Sequence, residues 1–331
     1  MPSQLARSRF ARLAALAEII LVLALGNIVG VAAYEAIVPA ELAEDGALVA
    51  LYEGLRIFLR IGFVAAFGLA LLWFRRGLTP RDAGLTRAGQ PLEHLIGIGI
   101  VLGGFSSFLI GLVFAVHAIV PLGEGLPAWD EVRDASLDTA FFVNMLATSI
   151  IIPPLMEEIM ARGYMRVRLV ESNGAIGGVV LTGLVFALAH GKFISTDPLL
   201  IAFMAILIIS SIAWAYVAQL TGSVIPSMVA HAMTNTFATV ILFDVWVPFA
   251  LITAFVLWQR QPILKALRQF LDDWRTDHQV TGLLFSVVAL VLILAMLMFA
   301  MMQLGRTTGL LVFGGVALLV TATFRAVEKR Q

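Results

Sequence analysis

Apolar stretches about as long as a membrane span recur along the whole chain, separated by short polar loops. A helix needs about 20 apolar residues to cross the hydrocarbon core of a bilayer, so the pattern predicts about ten spans, with nine possible. The stretches lie near residues 13–38, 47–74, 93–121, 139–172, 175–190, 198–220, 223–243, 246–259, 280–303 and 308–324. The stretch 246–259 is short, and whether it crosses fully decides between the two counts.

Composition supports the same interpretation. Of 331 residues, 60% are hydrophobic and only 13% are charged, whereas soluble domains carry about a quarter charged residues. We therefore predict an all-α, polytopic integral membrane bundle. Acidic and basic residues balance at 22 each, so the charge indicates no nucleic-acid partner. The chain has no cysteine, which excludes disulfides, thiol nucleophiles and cysteine-ligated zinc.

The distribution of arginine and lysine predicts the orientation. Basic residues precede the first span, fill the loop at 75–87, and recur at 260–279 and at the C-terminus, whereas the loops between them are acidic. By the positive-inside rule both termini lie in the cytoplasm, which requires an even number of spans and favours ten. Residues 261–276 alternate leucines with lysine and arginine in the manner of an interfacial amphipathic helix.

These observations divide the chain into segments. We expect a cytoplasmic tail, a membrane bundle that contains the motif region, an amphipathic linker helix, a further transmembrane hairpin and a second cytoplasmic tail. Their predicted bounds are 1–12, 13–259 (motif region 139–243), 260–279, 280–324 and 325–331.

Five polar residues inside the apolar stretches stand out: Glu157, Glu158, His190, His231 and Asn235. Ionisable residues in a span are costly, so they mark a functional site or are paired within the bundle. The turn ESNG centres near position 173.5 and makes the fourth and fifth helices an antiparallel hairpin. Glu157 and His190 are equally far from that centre, about 25 Å at the helical rise. The two residues are therefore predicted to lie at matching depth.

The neighbouring acids differ in their local partners. Glu158 and Arg162 are four residues apart in the favourable order for an ion pair. Glu157 points about 100° away and has no such local partner, which suits a general base. The preceding Pro153 and Pro154 are predicted to kink the helix and free carbonyl groups, which is tolerated in a membrane only beside protein or a water-filled cavity. We therefore expect kinked motif helices around an intramembrane cavity.

Three short motifs fall on these residues: EEIMAR (157–162), FALAH (186–190) and HAMTN (231–235). In this order on successive apolar helices they resemble the motifs EExxxR, FxxxH and HxxxN of the CPBP intramembrane proteases. That family includes the type II CAAX prenyl endopeptidase and bacterial relatives labelled abortive-infection proteins. The resemblance covers roughly residues 60–243.

The resemblance implies a set of roles. Glu157 activates the water that attacks the scissile carbonyl, and His190 helps to hold and polarise that water. His231 and Asn235 donate to the developing oxyanion, with Glu158, Arg162 and Phe186 in support. A divalent metal such as zinc is an open alternative, and its ligands would be Glu157, His190 and His231.

The implied partners are membrane lipids and a peptide or protein substrate, with or without a prenyl group. We expect the protein to lie in a bacterial or archaeal cytoplasmic membrane, with its site open toward the cytoplasm. Two alternatives remain at this stage. One is a proton-coupled transporter that uses the buried glutamate and histidines. The other is a non-catalytic scaffold or immunity protein on the same fold.

Overall fold

A computed structural model describes most of the chain, and within that part every regular element is a helix. The described residues are 9–38, 49–120, 122, 146–190, 196–241, 244–277, 280–304, 308, 311–312, 314–319 and 322. Several predicted features lie outside them: the first eight residues of the N-terminal tail, both acidic loops, the start of the 139–172 stretch and the C-terminal tail. The last predicted span is described in part.

Ten α-helices are described, and two π-helical segments flank the fourth. The α-helices are α1 Arg9–Ile37, α2 Val49–Arg76, α3 Leu92–Ile119, α4 Ile152–Glu158, α5 Arg166–Ala189, α6 Pro198–Thr221, α7 Ile225–Val240, α8 Trp246–Trp258, α9 Arg260–Thr276 and α10 Val280–Leu304. The π-helical segments are Leu146–Ile151 and Ile159–Met165. The predicted helical bundle is thereby confirmed.

Five helical stretches among the described residues are long and apolar enough to cross a membrane. The count becomes six if α8 and α9, which meet at a 68° bend, form one span. The stretches are Arg9–Ile37, Gly54–Phe74, Leu92–Ile119, Ser149–Ala189 and Pro198–Thr221. Of the remaining predicted stretches, 223–243 and 246–259 correspond to the 16-residue α7 and the 13-residue α8, and 280–303 corresponds to the 25-residue α10.

The stretch Ser149–Ala189 contains a reversal of the chain at Gly174. This glycine has φ 81° and ψ 174°, a conformation that is essentially restricted to glycine. A Cβ atom on Gly178 would lie 2.4 Å from the Cα atom of Val170, so the two arms pack directly against each other. The reversal falls in the predicted ESNG turn and sets which residues of α4 and α5 lie side by side.

Helices α1 and α2 approach closely because glycines form their contact. A Cβ atom on Gly26 would lie 2.6 Å from Cα of Val64, and one on Gly30 would lie 2.5 Å from Cα of Arg60. Small residues at such spacing allow two membrane helices to pack backbone to backbone. The buried Glu18 of α1 also accepts a 3.0 Å bond from Arg168 Nε of α5, so α1 is held to the motif region by charge as well.

The loop at 77–91 closes one end of the bundle. The amide N–H of Val224, just before α7, donates to the carbonyl oxygen of Gly84 at 2.9 Å. Gln90 Nε2 donates to the carbonyl oxygen of Thr221 at the end of α6. Within the loop the carboxylate of Asp82 accepts bonds from the hydroxyl and N–H of Thr79, and these bonds lower the pKa of Asp82.

Candidate active site

The motif residues lie on three neighbouring parts of the bundle. Glu157 and Glu158 end α4, and Arg162 belongs to the π-helical segment that follows. His190 ends α5 on the other arm of the hairpin, and His231 lies in α7. π-helical turns are rare and are frequent at functional sites, because the i→i+5 bond redirects side chains. Here the π-helical winding begins directly after the two acids.

Glu157 faces His190. The Oε2 atom of Glu157 lies 3.9 Å from Nε2 of His190, too far for a direct hydrogen bond. The Nδ1 atom of His190 lies 2.9 Å from the carbonyl oxygen of Phe186, so Nδ1 carries a proton and Nε2 faces the acid. The Oε2 atom of Glu157 is buried and has no hydrogen-bond partner among the described residues. The two side chains are 16% and 35% exposed, so the pair is reachable.

Glu158 has the opposite environment. Its side chain and that of Arg162 are fully buried, and Nη1 of Arg162 donates to Oε1 of Glu158 at 2.9 Å. The same oxygen lies 2.9 Å from Nδ1 of His231. Because an ionised carboxylate only accepts, Nδ1 of His231 carries the proton. One acid therefore holds both the arginine of the first motif and the histidine of the third.

The arginine is fixed on its remaining sides by α6 and by two aromatic rings. Nη2 of Arg162 donates to the carbonyl oxygen and the hydroxyl of Ser211, at 3.1 and 2.7 Å. The ring centroids of Phe186 and Trp214 lie 4.5 and 5.3 Å from its Cζ atom. Cation–π contacts of this kind strengthen where the charge is desolvated. The guanidinium group is therefore held in one place.

The same two rings position the histidines. Trp214 stacks on His231 with centroids 4.9 Å apart, and Phe186 meets His190 edge-on at 4.9 Å. Trp214 is itself anchored, since its Nε1 donates to the hydroxyl of Ser106 at 3.0 Å. The predicted supporting residue Phe186 thus contacts Arg162 and both histidines.

Sequence reasoning missed Ser211 and Trp214. Both lie on α6, a helix that carries none of the three motifs, and no spacing rule relates them to Glu158 or His231. The available signal was a large aromatic residue with an indole N–H in the middle of an apolar span. Such a group requires a buried hydrogen-bond acceptor, and Ser106 supplies it.

Asn235 lies one turn beyond His231 on α7. Its Nδ2 atom donates to the carbonyl oxygen of Ser149, which belongs to the π-helical segment before α4. The amide therefore ties α7 to the beginning of the motif helix. Its second N–H is not used in this bond, because a carboxamide nitrogen carries two hydrogens.

The open alternative of a metal centre requires Glu157, His190 and His231 to converge. In the structure His231 bonds to Glu158 instead, while His190 faces Glu157. Among the residues that the structure describes, no cluster of three or more histidine or acidic side chains is arranged to hold a metal ion. The three side chains do not fit a common ion in this geometry, and we derive no step through one.

The long apolar helices and this buried acid and histidine site define an all-helical integral membrane protein with its polar groups gathered inside the bundle. Residues 139–237 match the family model described as "Type II CAAX prenyl endopeptidase Rce1-like". This region is similar to the Rce1-like family, a family of proteases, and the resemblance to the CPBP proteases is confirmed. The match includes all three motifs and is narrower than the 60–243 expected from them.

Searches of curated proteins and of solved structures each gave no match to the chain.

Proposed function

We propose that this protein is an intramembrane endopeptidase that hydrolyses a peptide bond near the membrane interface of a peptide or protein substrate. The family of residues 139–237 supports protease chemistry. The observation that carries the proposal is the Glu157–His190 pair. Oε2 of Glu157 has no hydrogen-bond partner among the described residues and lies 3.9 Å from Nε2 of His190. Two acceptors at that separation suit a bridging water, which reaches each at about 2.8 Å.

In this mechanism Glu157 is the general base. It takes one proton from the bridging water as the oxygen attacks the scissile carbonyl, and it later returns the proton to the leaving amine. His190 holds the water through Nε2, because its Nδ1 proton is committed to the carbonyl oxygen of Phe186. The bond that Nδ1 of His190 donates to the Phe186 carbonyl oxygen fixes the imidazole tautomer, as second partners of catalytic histidines do.

His231 and Asn235 are proposed to stabilise the oxyanion. Nδ1 of His231 donates to Glu158, which holds the ring in one orientation, and in its protonated form the ring would donate from Nε2–H to developing negative charge. Asn235 would contribute the N–H that it does not use toward Ser149. Donors of this type are each worth about 3 kcal/mol in transition-state stabilisation.

We place both termini and the opening of the site on the cytoplasmic side of a bacterial or archaeal membrane. The support is the basic loop at 77–91, in which Arg81 and Arg87 are exposed. The substrate class is a peptide or protein segment, and the proposal holds for prenylated and unmodified substrates alike.

The test is peptide cleavage by purified protein in lipid nanodiscs. We expect Glu157→Gln and His190→Ala each to reduce kcat at least about a hundredfold, the usual contribution of a general base or its partner. Glu93→Gln is the matched control, because Glu93 is exposed in the first turn of α3, and it should leave the rate unchanged. Each assay is run with and without chelator.

Two results would contradict the proposal. One is full cleavage activity in the Glu157→Gln protein. The other is proton uptake by liposomes that contain the protein, with no peptide of a membrane-peptide library cleaved, which would instead favour the transporter alternative.

A further inference from the structure

Helix α9 (Arg260–Thr276) differs from the other described helices in its relation to the bundle. It leaves α8 at a 68° bend, and none of its residues is fully buried. Its apolar residues nevertheless form one continuous stripe, because Leu264, Leu267, Phe270, Leu271 and Trp274 recur at helical spacing. A helix with such a stripe requires an apolar partner along its whole length.

The bundle covers only one edge of the stripe. Phe270 packs edge-on against Tyr216 of α6 with ring centroids 5.1 Å apart, and the Tyr216 hydroxyl donates to Asp273 at 2.6 Å. Leu264, Leu267 and Leu271 form the other edge and are 41%, 51% and 43% exposed. Within the part of the chain that the structure describes, protein therefore covers these three leucines only in part.

The charges beside the exposed leucines are predominantly basic. Arg260, Lys265, Arg268 and Arg275 are all exposed. Of the two acids in the helix, Asp273 is bonded to Tyr216 and Asp272 faces Arg275 at 3.4 Å. At 100° per residue, Arg268 and Arg275 project from the side of the helix adjoining Leu264 and Leu271.

Other basic residues lie at the same end of the bundle. Tyr216 lies near the C-terminal end of α6, whose Thr221 carbonyl accepts a bond from Gln90 in the loop at 77–91. Arg81 and Arg87 of that loop are exposed. The helix and the loop therefore present positive charge on one face of the molecule.

From this geometry we infer that α9 is a docking surface for an anionic lipid leaflet, with Leu264, Leu267 and Leu271 inserted at the boundary between headgroups and acyl chains. Amphipathic helices bind there through apolar burial combined with attraction to anionic lipid. Each Lys or Arg near such a surface strengthens binding roughly fivefold.

Charge argues against a second copy of the chain as the occupant. In a two-fold interface the same patch meets itself, so the basic residues beside the leucines would face their own copies. Like charges brought together in this way are unfavourable. An anionic leaflet would bury the leucines among acyl chains and would attract the basic side chains through its headgroups.

The inferred lipid contact of α9 does not depend on the proposed peptidase function. It would nevertheless affect where the candidate active site lies in the membrane. Tyr216 lies on the same helix as Ser211 and Trp214, which hold Arg162 and His231. A helix fixed at the interface and bonded to Tyr216 therefore sets the depth of the site below the headgroups.

The absence of cysteine makes single-cysteine labelling the direct test. Leu264→Cys, Leu267→Cys and Leu271→Cys are labelled with a fluorophore in the full chain, in nanodiscs of neutral lipid or of neutral lipid with one third phosphatidylglycerol. Gln269→Cys is the matched control, since Gln269 is exposed on nearly the opposite side of the helix. Quenching by an acyl-chain nitroxide lipid is compared with quenching by aqueous iodide.

We expect the three leucine positions to be quenched by the nitroxide lipid, more strongly in the anionic nanodiscs, and Gln269→Cys to be quenched by iodide. Lys265→Glu with Arg268→Glu should remove the dependence on anionic lipid, whereas Lys265→Arg with Arg268→Lys should keep it. Equal iodide quenching at all four positions would overturn the inference. Shielding of the leucine positions from both quenchers would also overturn it, because it would show that protein covers the stripe.

Discussion

His231 donates from Nδ1 to Oε1 of Glu158 at 2.9 Å, while the neighbouring Glu157 faces His190. The two adjacent acids therefore lie against different histidines. Glu158 pairs with Arg162, as the spacing of the two residues predicts, and it bonds to the histidine of the third motif as well. The bond makes the first and third motifs one buried unit, next to the pair that we propose as the reactive centre.

Replacing Glu158 should have separable effects on stability and on activity. Glu158→Gln leaves the charge of Arg162 buried without its carboxylate, which typically costs about 3–5 kcal/mol. The double variant Glu158→Gln, Arg162→Met removes both charges and should regain most of that loss in the free energy of unfolding. Unfolding in detergent with increasing denaturant measures both values.

Activity of the same double variant then tests the link to His231. If the bond from His231 to Glu158 positions the imidazole toward the oxyanion, cleavage stays at least about tenfold below wild type even when stability returns. Recovery of both together would show that Glu158 acts only through its ion pair.

Trp214 is expected to position His231. Trp214→Leu removes the ring that stacks on the imidazole and should lower kcat about tenfold. We expect little change in KM, because Trp214 is buried and does not offer a surface to a substrate. Trp214→Phe keeps a ring and loses only the bond to Ser106, so it should match Ser106→Ala. An equal effect of the Leu and Phe variants on kcat would argue against a positioning role.

The contact between α1 and α2 predicts opposite effects for two glycines. Gly26→Ala places a Cβ atom 2.6 Å from the Val64 backbone, and overpacking of this kind costs about 1–3 kcal/mol. Gly62→Ala meets no described atom within 4 Å and should stabilise the helix by up to about 1 kcal/mol. Thermal unfolding in mild detergent distinguishes them, and a loss of stability in both would refute the packing argument.

The turn at Gly174 predicts a stability cost that is tied to activity. Gly174→Ala forces a residue with a Cβ atom into φ 81° and ψ 174°, at a cost of about 1–3 kcal/mol. Because the turn sets which residues of its arms face each other, cleavage should fall as well. Gly97→Ala is the control, since Gly97 lies in α3 and a Cβ atom there would meet no atom of the described residues within 4 Å. Wild-type stability of the Gly174→Ala protein would contradict the prediction.

The sequence determined the helical membrane fold, because a bilayer accepts long apolar helices and leaves few other solutions for such a chain. It also determined that Glu157 and His190 lie at one depth. A short turn fixes the register of a hairpin, and the two residues are equally far from it. In the structure, Oε2 of Glu157 and Nε2 of His190 lie 3.9 Å apart.

The tertiary structure alone decided which partner each polar group takes. Depth along a helix follows from counting residues, but the direction of a side chain depends on local winding and on the neighbouring helix. The π-helical turn after Glu158 and the packing of α6 and α7 brought Ser211, Trp214 and His231 around one ion pair. Those contacts join residues 49 to 73 positions apart in sequence, and no local spacing rule reaches that far.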